Sequence, residues 1–414
     1  MYKIKKRNIY SFLIFVTILV TLTKTYVVFA HFLGVSVAII TGLFFLINLF
    51  ILTNHIFLFK NKKGLFILFQ FLIIIPLFVS FINLNFSPSA LLLQFFYFSQ
   101  VGIGAVAVLG YRNTISKAVS VAIIVNFIAA LASMFSPESF MAMGEIISAR
   151  YFYGGRAIGF FLQPNSLGLA TAVIYILMVF LCDKNKQLKL LPFVLITSIL
   201  TGSRSAIIIL MVLLLIKFWF MFREKKLSFS RIIKPVFKFS FLIAALVIIF
   251  LNTNYSRVLF EDIRYNQLIS RIEFFLEFNS DKIQEDGSLA DRAEYQRSYL
   301  NNLNSFILKG NGIGTQQDAR AQNILKGSAH QAFLDILFQG GLFYLLSYLV
   351  VLFYILRIFI KNKKYDKYKA RFALMVFAFM FIISFVSTGI LNMRELYLTL
   401  GILIQYQATI YNIE

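Results

Sequence analysis

The sequence contains little of what soluble enzymes use for metal binding or disulfide stability. Its 414 residues include one cysteine, three histidines, one tryptophan and 18 acidic residues. The single cysteine, Cys182, excludes an intrachain disulfide and does not indicate a redox compartment. Three scattered histidines and one cysteine argue against a zinc site. We therefore expect neither a metal nor a cofactor.

Several sequence motifs are also missing. The chain has no GxxxxGK[ST] nucleotide loop and no Asp-x-Asp pair of the kind that holds metal in soluble nucleotide-sugar transferases. The GNGIG at 310–314 follows no βαβ strand, which argues against a dinucleotide site. Ser203 has no histidine near it in sequence, so the case for a serine hydrolase is weak. Few acids fall at the centres of the apolar runs, which argues against ion-coupled transport.

What the chain does contain is apolar sequence and positive charge. It is 59% hydrophobic and only 14% charged, with 40 Lys and Arg and a net charge of +22. The basic residues form short clusters between apolar runs, as in membrane proteins, and not one basic face for nucleic acid. These features predict an all-α polytopic membrane protein.

About twelve runs are long enough to be membrane spans, each needing about 20 apolar residues. The first lacks a convincing cleavage site and is interpreted as an uncleaved helix. The predicted spans are 9–29, 33–53, 65–84, 90–110, 118–136, 158–182, 188–202, 205–222, 239–254, 338–360, 372–391 and 396–411.

The basic clusters predict the orientation. They recur at every second connection, which places both termini and these connections in the cytoplasm. Residues 255–330 then form a long extracytoplasmic loop between spans 1–9 (residues 1–254) and spans 10–12 (residues 331–414). Within it, 268–278 and 289–308 are predicted helices, and the alternate glycines after Lys309 predict a turn.

Arginine dominates the basic residues on the predicted outer side. Its planar fork suits bidentate binding of phosphate, so an arginine-rich outer pocket favours an anionic ligand such as a lipid-linked phosphate. Arg156, Arg204 and Arg292 stand out by position; Arg204 lies in a very tight hairpin at membrane depth. Contact with lipid headgroups or pairing with acids remains the alternative for each.

Two polar residues are further candidates. Asn165 follows Pro164 early in span six and could bind a polar ligand, or could simply satisfy backbone groups at a kink. His330 is the only histidine of the long loop and lies where span ten begins. It is either a general base with a pKa near neutrality or a residue at a helix start.

Four stretches together resemble the bacterial O-antigen ligase and O-antigen polymerase superfamily. They are GRAIGFFLQPNSLG at 155–168, LTGSRSA at 200–206, DRAEYQRSYL at 291–300 followed by GNGIGT, and the stretch from His330 to Tyr344. The last is similar to the ligase pattern of His, a polar residue, nine residues, Gly, two residues and Tyr. Gln331 is the polar residue, where Asn is more usual.

The resemblance implies a GT-C-like, metal-independent, inverting membrane glycosyltransferase. Its donor would be a glycan on undecaprenyl pyrophosphate at the outer face of the cytoplasmic (inner) membrane, and its acceptor a sugar hydroxyl. His330 would be the catalytic base, and Arg156, Arg204 and Arg292 would bind pyrophosphate. The further substrate-binding candidates are Asn165, Gln331, Arg297 and Arg320.

Three functions remain open. A polymerase of surface polysaccharide (O-antigen or capsule) is favoured over a ligase that transfers the glycan to lipid A–core or protein. A lipid-linked oligosaccharide flippase is the competitor from another class. Membrane lipid is an expected partner, nucleic acid is not, and a chain-length regulator or a flippase is kept open as a protein partner.

Overall fold

The computed structural model describes residues 2–59, 61–84, 87–136, 139–140, 142, 156–223, 287–315, 319, 325, 331–386 and 389–406. This part of the chain is helical and contains no strand, and the prediction of an all-α polytopic membrane protein is confirmed. The α-helices are α1 (Tyr2–Thr23), α2 (Tyr26–Leu33), α3 (Val37–His55), α4 (Lys62–Phe69), α5 (Ile75–Ile82), α6 (Pro88–Gly110), α7 (Arg112–Phe135), α8 (Pro164–Leu181), α9 (Lys184–Leu200), α10 (Arg204–Arg223), α11 (Gly287–Asn301), α12 (Leu303–Phe306), α13 (Ala332–Asn362), α14 (Lys367–Val386) and α15 (Arg394–Gln405).

Eight helical stretches in the described ranges are long and apolar enough to cross a membrane, and nine if α1 and α2 count as one bent span. The predicted span 239–254 lies outside the described residues. Helix α9, with 17 residues, reaches only about 26 Å, and α15 has 12. Twelve spans therefore stay a prediction.

The first predicted span differs from the structure. It was expected to run to residue 29, but α1 ends at Thr23 and α2 leaves it at 91°. Lys24 lies at the break with φ +53°, a left-handed conformation that interrupts the helical hydrogen bonds. The chain turns again at Gly34, with φ +62°, before α3 begins.

The third predicted span accommodates a proline. Pro76 has no backbone N–H, so a regular helix cannot continue through it without losing a hydrogen bond. Here α4 passes into a π-helical turn, Gln70–Ile74, and α5 follows with Pro76 in its first turn. The two helices form one candidate span, Lys62–Ile82.

Close packing at the centre depends on small residues. A Cβ added to Gly104 of α6 would overlap the carbonyl of Leu398 in α15, and one added to Gly401 would overlap the carbonyl of Val101. Such glycines let helix backbones approach in a membrane, where packing rather than hydrophobicity drives association. Helices α6, α8 and α15 are buried along most of their length, while α3 exposes large apolar side chains.

Contacts between helix ends group the charged residues at two separate places in the bundle. We call one the arginine end, defined by Lys24, Arg156, Arg204 and Arg394. We call the other the lysine end, defined by Lys63, Lys184, Lys361 and Lys369. Which end faces the cytoplasm stays a prediction, with the lysine end expected there.

Candidate active site

Arg156 lies in a non-helical stretch at the arginine end and is 8% exposed. Its Nε donates to the carbonyl of Thr201 at 2.8 Å, and its Nη2 donates to Oδ1 of Asn165 at 3.0 Å. The backbone is held as well, because the N–H of Ala157 donates to Leu200 at 2.9 Å. Arg156 therefore joins the start of α8 to the connection between α9 and α10, in a fixed orientation.

That connection is a three-residue hairpin, Thr201–Gly202–Ser203. Gly202 adopts φ +55°, which a glycine accommodates without steric cost. The hairpin packs against Gly168 of α8, where an added Cβ would come within 2.6 Å of Ala206 and 3.2 Å of Ser203. Ser203 is fully buried and its Oγ accepts from the N–H of Ala206 at 3.4 Å. The serine caps α10, which explains it without a hydrolase role.

Two helix N-termini meet at this place. Helix α8 begins at Pro164, so the sixth span starts there and not at 158; proline at the first helical position lacks only an N–H that would be unpaired anyway. Helix α10 begins at Arg204 and has no acid in its first turn. A cation at the positive end of a helix dipole does not stabilise that helix. The combination of N-termini and arginines instead suits an anion.

A second structural unit braces α13. The turn at 310–314 is confirmed, with positive φ at Gly310, Gly312 and Gly314. Its backbone pairs with a break in α13: Asn311 N–H donates to Phe338 at 2.8 Å, and Gly312 N–H to Gln339 at 2.9 Å.

The break itself is at Gly341, which has φ +61°. A Cβ there would overlap the Leu308 carbonyl, and the N–H of Leu342 donates to Ile307 at 2.7 Å. The glycine turn therefore packs directly against Gly341, which is the glycine of the His330 motif.

Hydrogen bonds lead from this turn towards the start of α13. The N–H of Gly314 donates to Gln339 Oε1 at 3.2 Å, and Gln339 Nε2 donates to Asp335 Oδ2 at 3.4 Å. Asp335 is 4% exposed, and its N–H donates to the carbonyl of Gln331, the residue that precedes the helix, at 3.2 Å. The turn thus fixes the segment of α13 that follows His330.

The structure brings some predicted residues together and leaves others apart. Arg156, Asn165 and the hairpin that ends at Arg204 form one cluster. Arg292 is half-buried and Arg297 exposed; both lie on α11, which packs on α12 and α13. The helix predicted at 289–308 is present as α11 and α12, with a break at Asn302. His330, Arg320 and the predicted helix 268–278 lie outside the described residues.

Two further cations lie at the same end: Lys24, which the sequence analysis missed, and Arg394, which belongs to the outer arginines but was not selected as a site residue. Lys24, hidden inside a predicted span, has its Nζ 4.7 Å from the centre of the Phe161 ring. Arg394 lies over the rings of Tyr26 and Phe96, at 4.3 and 4.8 Å. Both act electrostatically on Glu395, which is 1% exposed. A lysine within an apolar run was the signal that could have found the first.

Residues 190–349 match the family model of O-antigen ligase. The match runs from α9 through the Arg204 hairpin, the glycine turn and the kink of α13, so it contains the whole brace of α13 and the hairpin part of the Arg156 cluster. It confirms the resemblance to the O-antigen ligase and polymerase superfamily. No curated protein matches the chain.

The O-antigen ligase match fits the membrane architecture. It supports a ligase- or polymerase-type, glycosyltransferase-like membrane enzyme, and the family implies a lipid-linked glycan substrate in a membrane setting. Arg156 and Asn165 precede the matched segment. They are tied to it by the hydrogen bond from Arg156 to Thr201.

Proposed function

We propose that the protein polymerises undecaprenyl-pyrophosphate-linked oligosaccharide repeat units into a surface polysaccharide, O-antigen or capsule, at the outer face of the cytoplasmic membrane. The observation that carries the proposal is the Arg156 cluster. It holds a buried, oriented guanidinium beside two helix N-termini, within and next to the segment that matches O-antigen ligase.

The cluster supplies what departure of a lipid pyrophosphate requires. Negative charge grows on the pyrophosphate as its bond to the sugar breaks, and donors fixed beforehand stabilise that charge most effectively. Arg156 and Arg204 would bind the phosphates, with Arg292 closing from α11. Asn165 would keep Arg156 in place, and the arginines would do the work that a metal ion does in other transferases.

The acceptor hydroxyl needs a base. His330 would take its proton as the hydroxyl attacks the anomeric carbon opposite the leaving group, which inverts that centre. Gln331, Arg297 and Arg320 would contact the glycans. In this scheme the brace between the glycine turn and α13 keeps the segment after His330 in a fixed position.

A polymerase is favoured over a ligase by the second pair of cations. A polymerase holds two lipid-linked chains at once, and each of them carries a pyrophosphate. Besides Arg156 and Arg204, the arginine end carries Lys24 and Arg394, which could hold the pyrophosphate of the acceptor chain. A protein acceptor would bring no such group, and the experiment below separates a polymerase from a ligase that uses lipid A–core.

The test uses purified full-length protein reconstituted in liposomes, with lipid-linked repeat units extracted from the source cells. We expect products of two or more repeat units, resolved on gels, and no products from Arg204→Ala or His330→Ala. Wild-type product from either variant would contradict the assigned roles.

Two further arms separate the alternatives. With lipid A–core oligosaccharide added, transfer to that acceptor without chain growth would show a ligase, the function after which the matching family is described. Repeat units supplied on both sides of the membrane remove any need for flipping. A flippase would then leave them unextended, and the polymerase proposal would fail.

A further inference from the structure

A cavity of about 410 Å³ lies at the lysine end, remote from the Arg156 cluster. It is formed between α4, α13, α14 and α15. Its volume falls within the range of small-molecule sites, about 300–1,000 Å³. Four cationic side chains line it: Lys63, Arg357, Lys361 and Lys369.

The cationic side chains come from three different helices, so the cavity concentrates charge that is separated in sequence. Within the described part of the chain, no carboxylate lies within ion-pair distance of any of these four side chains. The ion pair found in the described residues joins Lys186 to Asp183, which do not line the cavity. A general preference for basic residues at the cytoplasmic face requires only exposed lysines and arginines. It does not require that they converge on one concave site.

The floor of the cavity is organised by Asn61. Its Nδ2 donates to the Tyr354 hydroxyl at 2.8 Å and to the Ile404 carbonyl at 3.2 Å, and its Oδ1 accepts from Gly64 at 3.1 Å. Gln405 joins the same residue through Oε1 and Nε2, at 3.1 and 3.2 Å. The start of α4 is thereby fixed to α13 and to the end of α15.

Several donors remain after these bonds are made. The Tyr354 oxygen accepts from Asn61, which leaves its hydroxyl proton to donate. Lys369 gives one proton to the Tyr406 carbonyl at 2.7 Å and keeps two. Together with the guanidinium of Arg357, these groups suit the several oxygens of a phosphate.

We propose that this cavity binds a phosphate-bearing anion, either the headgroup of an anionic phospholipid or a soluble phosphate compound. Its position favours the headgroup, because the cavity adjoins the ends of candidate spans, where headgroups lie. The proposal does not depend on the enzymatic function at the arginine end.

The experiment compares two double variants that each remove two positive charges. Arg357→Gln with Lys361→Gln removes the two positive charges that α13 contributes to the cavity. Lys363→Gln with Lys364→Gln is the matched control, since both lysines are exposed, follow directly after the end of α13 and do not line the cavity. Purified full-length proteins in neutral detergent are given phosphatidylglycerol, phosphatidylcholine or inorganic pyrophosphate.

Native mass spectrometry counts retained lipid, and thermal unfolding reports pyrophosphate binding. We expect wild type and control to retain phosphatidylglycerol over phosphatidylcholine, and the cavity variant to bind it about tenfold more weakly. The same dependence with pyrophosphate alone would identify a soluble ligand.

Equal binding by all three proteins would show that the cavity charges do not hold the ligand, and equal loss in both variants would show a general charge effect; either result would overturn the proposal. If the cavity variant does not fold, Lys361→Gln alone, an exposed position, is judged against Lys363→Gln by the same criteria.

Discussion

At the scale of the residue, the Arg156 guanidinium is held by geometry. It donates to the carbonyl of Thr201 and to the amide oxygen of Asn165, and these two contacts orient it. Ser133, at the end of α7, holds the next residues, because its Oγ accepts from the N–H groups of Ile158 and Gly159, both at 3.1 Å. A donor fixed in this way does not need to reorganise when an anion arrives, which is the property that favours catalysis.

The substitution Arg156→Lys tests whether the fixed orientation of the guanidinium matters for activity. Lysine keeps the charge but lacks the planar fork, so it cannot donate to Thr201 and Asn165 in the same two directions. We expect the rate of repeat-unit polymerisation to fall about tenfold or more while the protein still folds. Product gels measure the rate, and thermal unfolding measures the fold.

Arg112→Lys serves as the control for this substitution, because Arg112 starts α7 at the other end of the bundle. It should leave the rate unchanged. Polymerisation by Arg156→Lys at the wild-type rate would mean that charge alone matters at this position.

Single residues were predictable only in part. Arg156 and Asn165 could be selected from sequence because arginine and a Pro-Asn pair are unusual at membrane depth. The hydrogen bond between them could not be predicted. The two residues flank a 3₁₀ turn, Gly159–Phe161, whose geometry depends on contacts with α7. Lys24 was missed because one lysine hardly lowers the hydropathy of a long apolar run.

At the scale of the element, apolar length predicted where most spans lie, and local backbone chemistry decided where they begin and end. Pro164 starts α8 and Lys24 separates α1 from α2, each for a reason that a hydropathy average does not contain. The break in α13 has a longer-range origin. It depends on the turn at 310–314, about 30 residues earlier, and no local pattern around Gly341 predicts that docking.

Gly341→Ala tests the brace between turn and helix. Gly341 adopts φ +61° and ψ −161°, a region essentially restricted to glycine, so alanine there costs about 1–3 kcal/mol in conformational strain, and its Cβ would also overlap the Leu308 carbonyl. Gly34→Ala is the control for alanine at a positive φ alone, because Gly34 has φ +62° and ψ +24°, and nothing lies within 4 Å of an added Cβ.

We expect Gly341→Ala to lower the free energy of unfolding by roughly 1–3 kcal/mol more than Gly34→Ala. Limited proteolysis should also show earlier cleavage in residues 307–315. Chemical unfolding in detergent measures the difference. Equal losses for the two variants would mean that the turn does not brace α13.

At the scale of the whole molecule, the two ends of the bundle are chemically distinct. The arginine end combines buried or half-buried cations with helix N-termini, and the lysine end carries exposed lysines and the half-buried Lys369 around a polar cavity. Sequence predicted this asymmetry from the alternation of basic clusters, since that pattern survives errors of several residues in any one helix boundary. It could not predict the cavity, whose walls come from helices more than 280 residues apart in sequence.

Orientation in the membrane is the remaining property at this scale, and cysteine labelling in whole cells tests it. Cys182 is the only native cysteine and is 7% exposed, so Cys182→Ser gives a background without thiols. Leu308→Cys places one thiol beside the glycine turn, where Leu308 is 69% exposed, and Lys363→Cys places one at the lysine end.

A membrane-impermeant maleimide should label Leu308→Cys in intact cells, or in spheroplasts if an outer membrane is present. It should label Lys363→Cys only after the cytoplasmic membrane is opened, because lysine-rich connections stay in the cytoplasm. The reverse pattern would place the Arg156 cluster on the cytoplasmic side and remove the basis for polymerisation at the outer face.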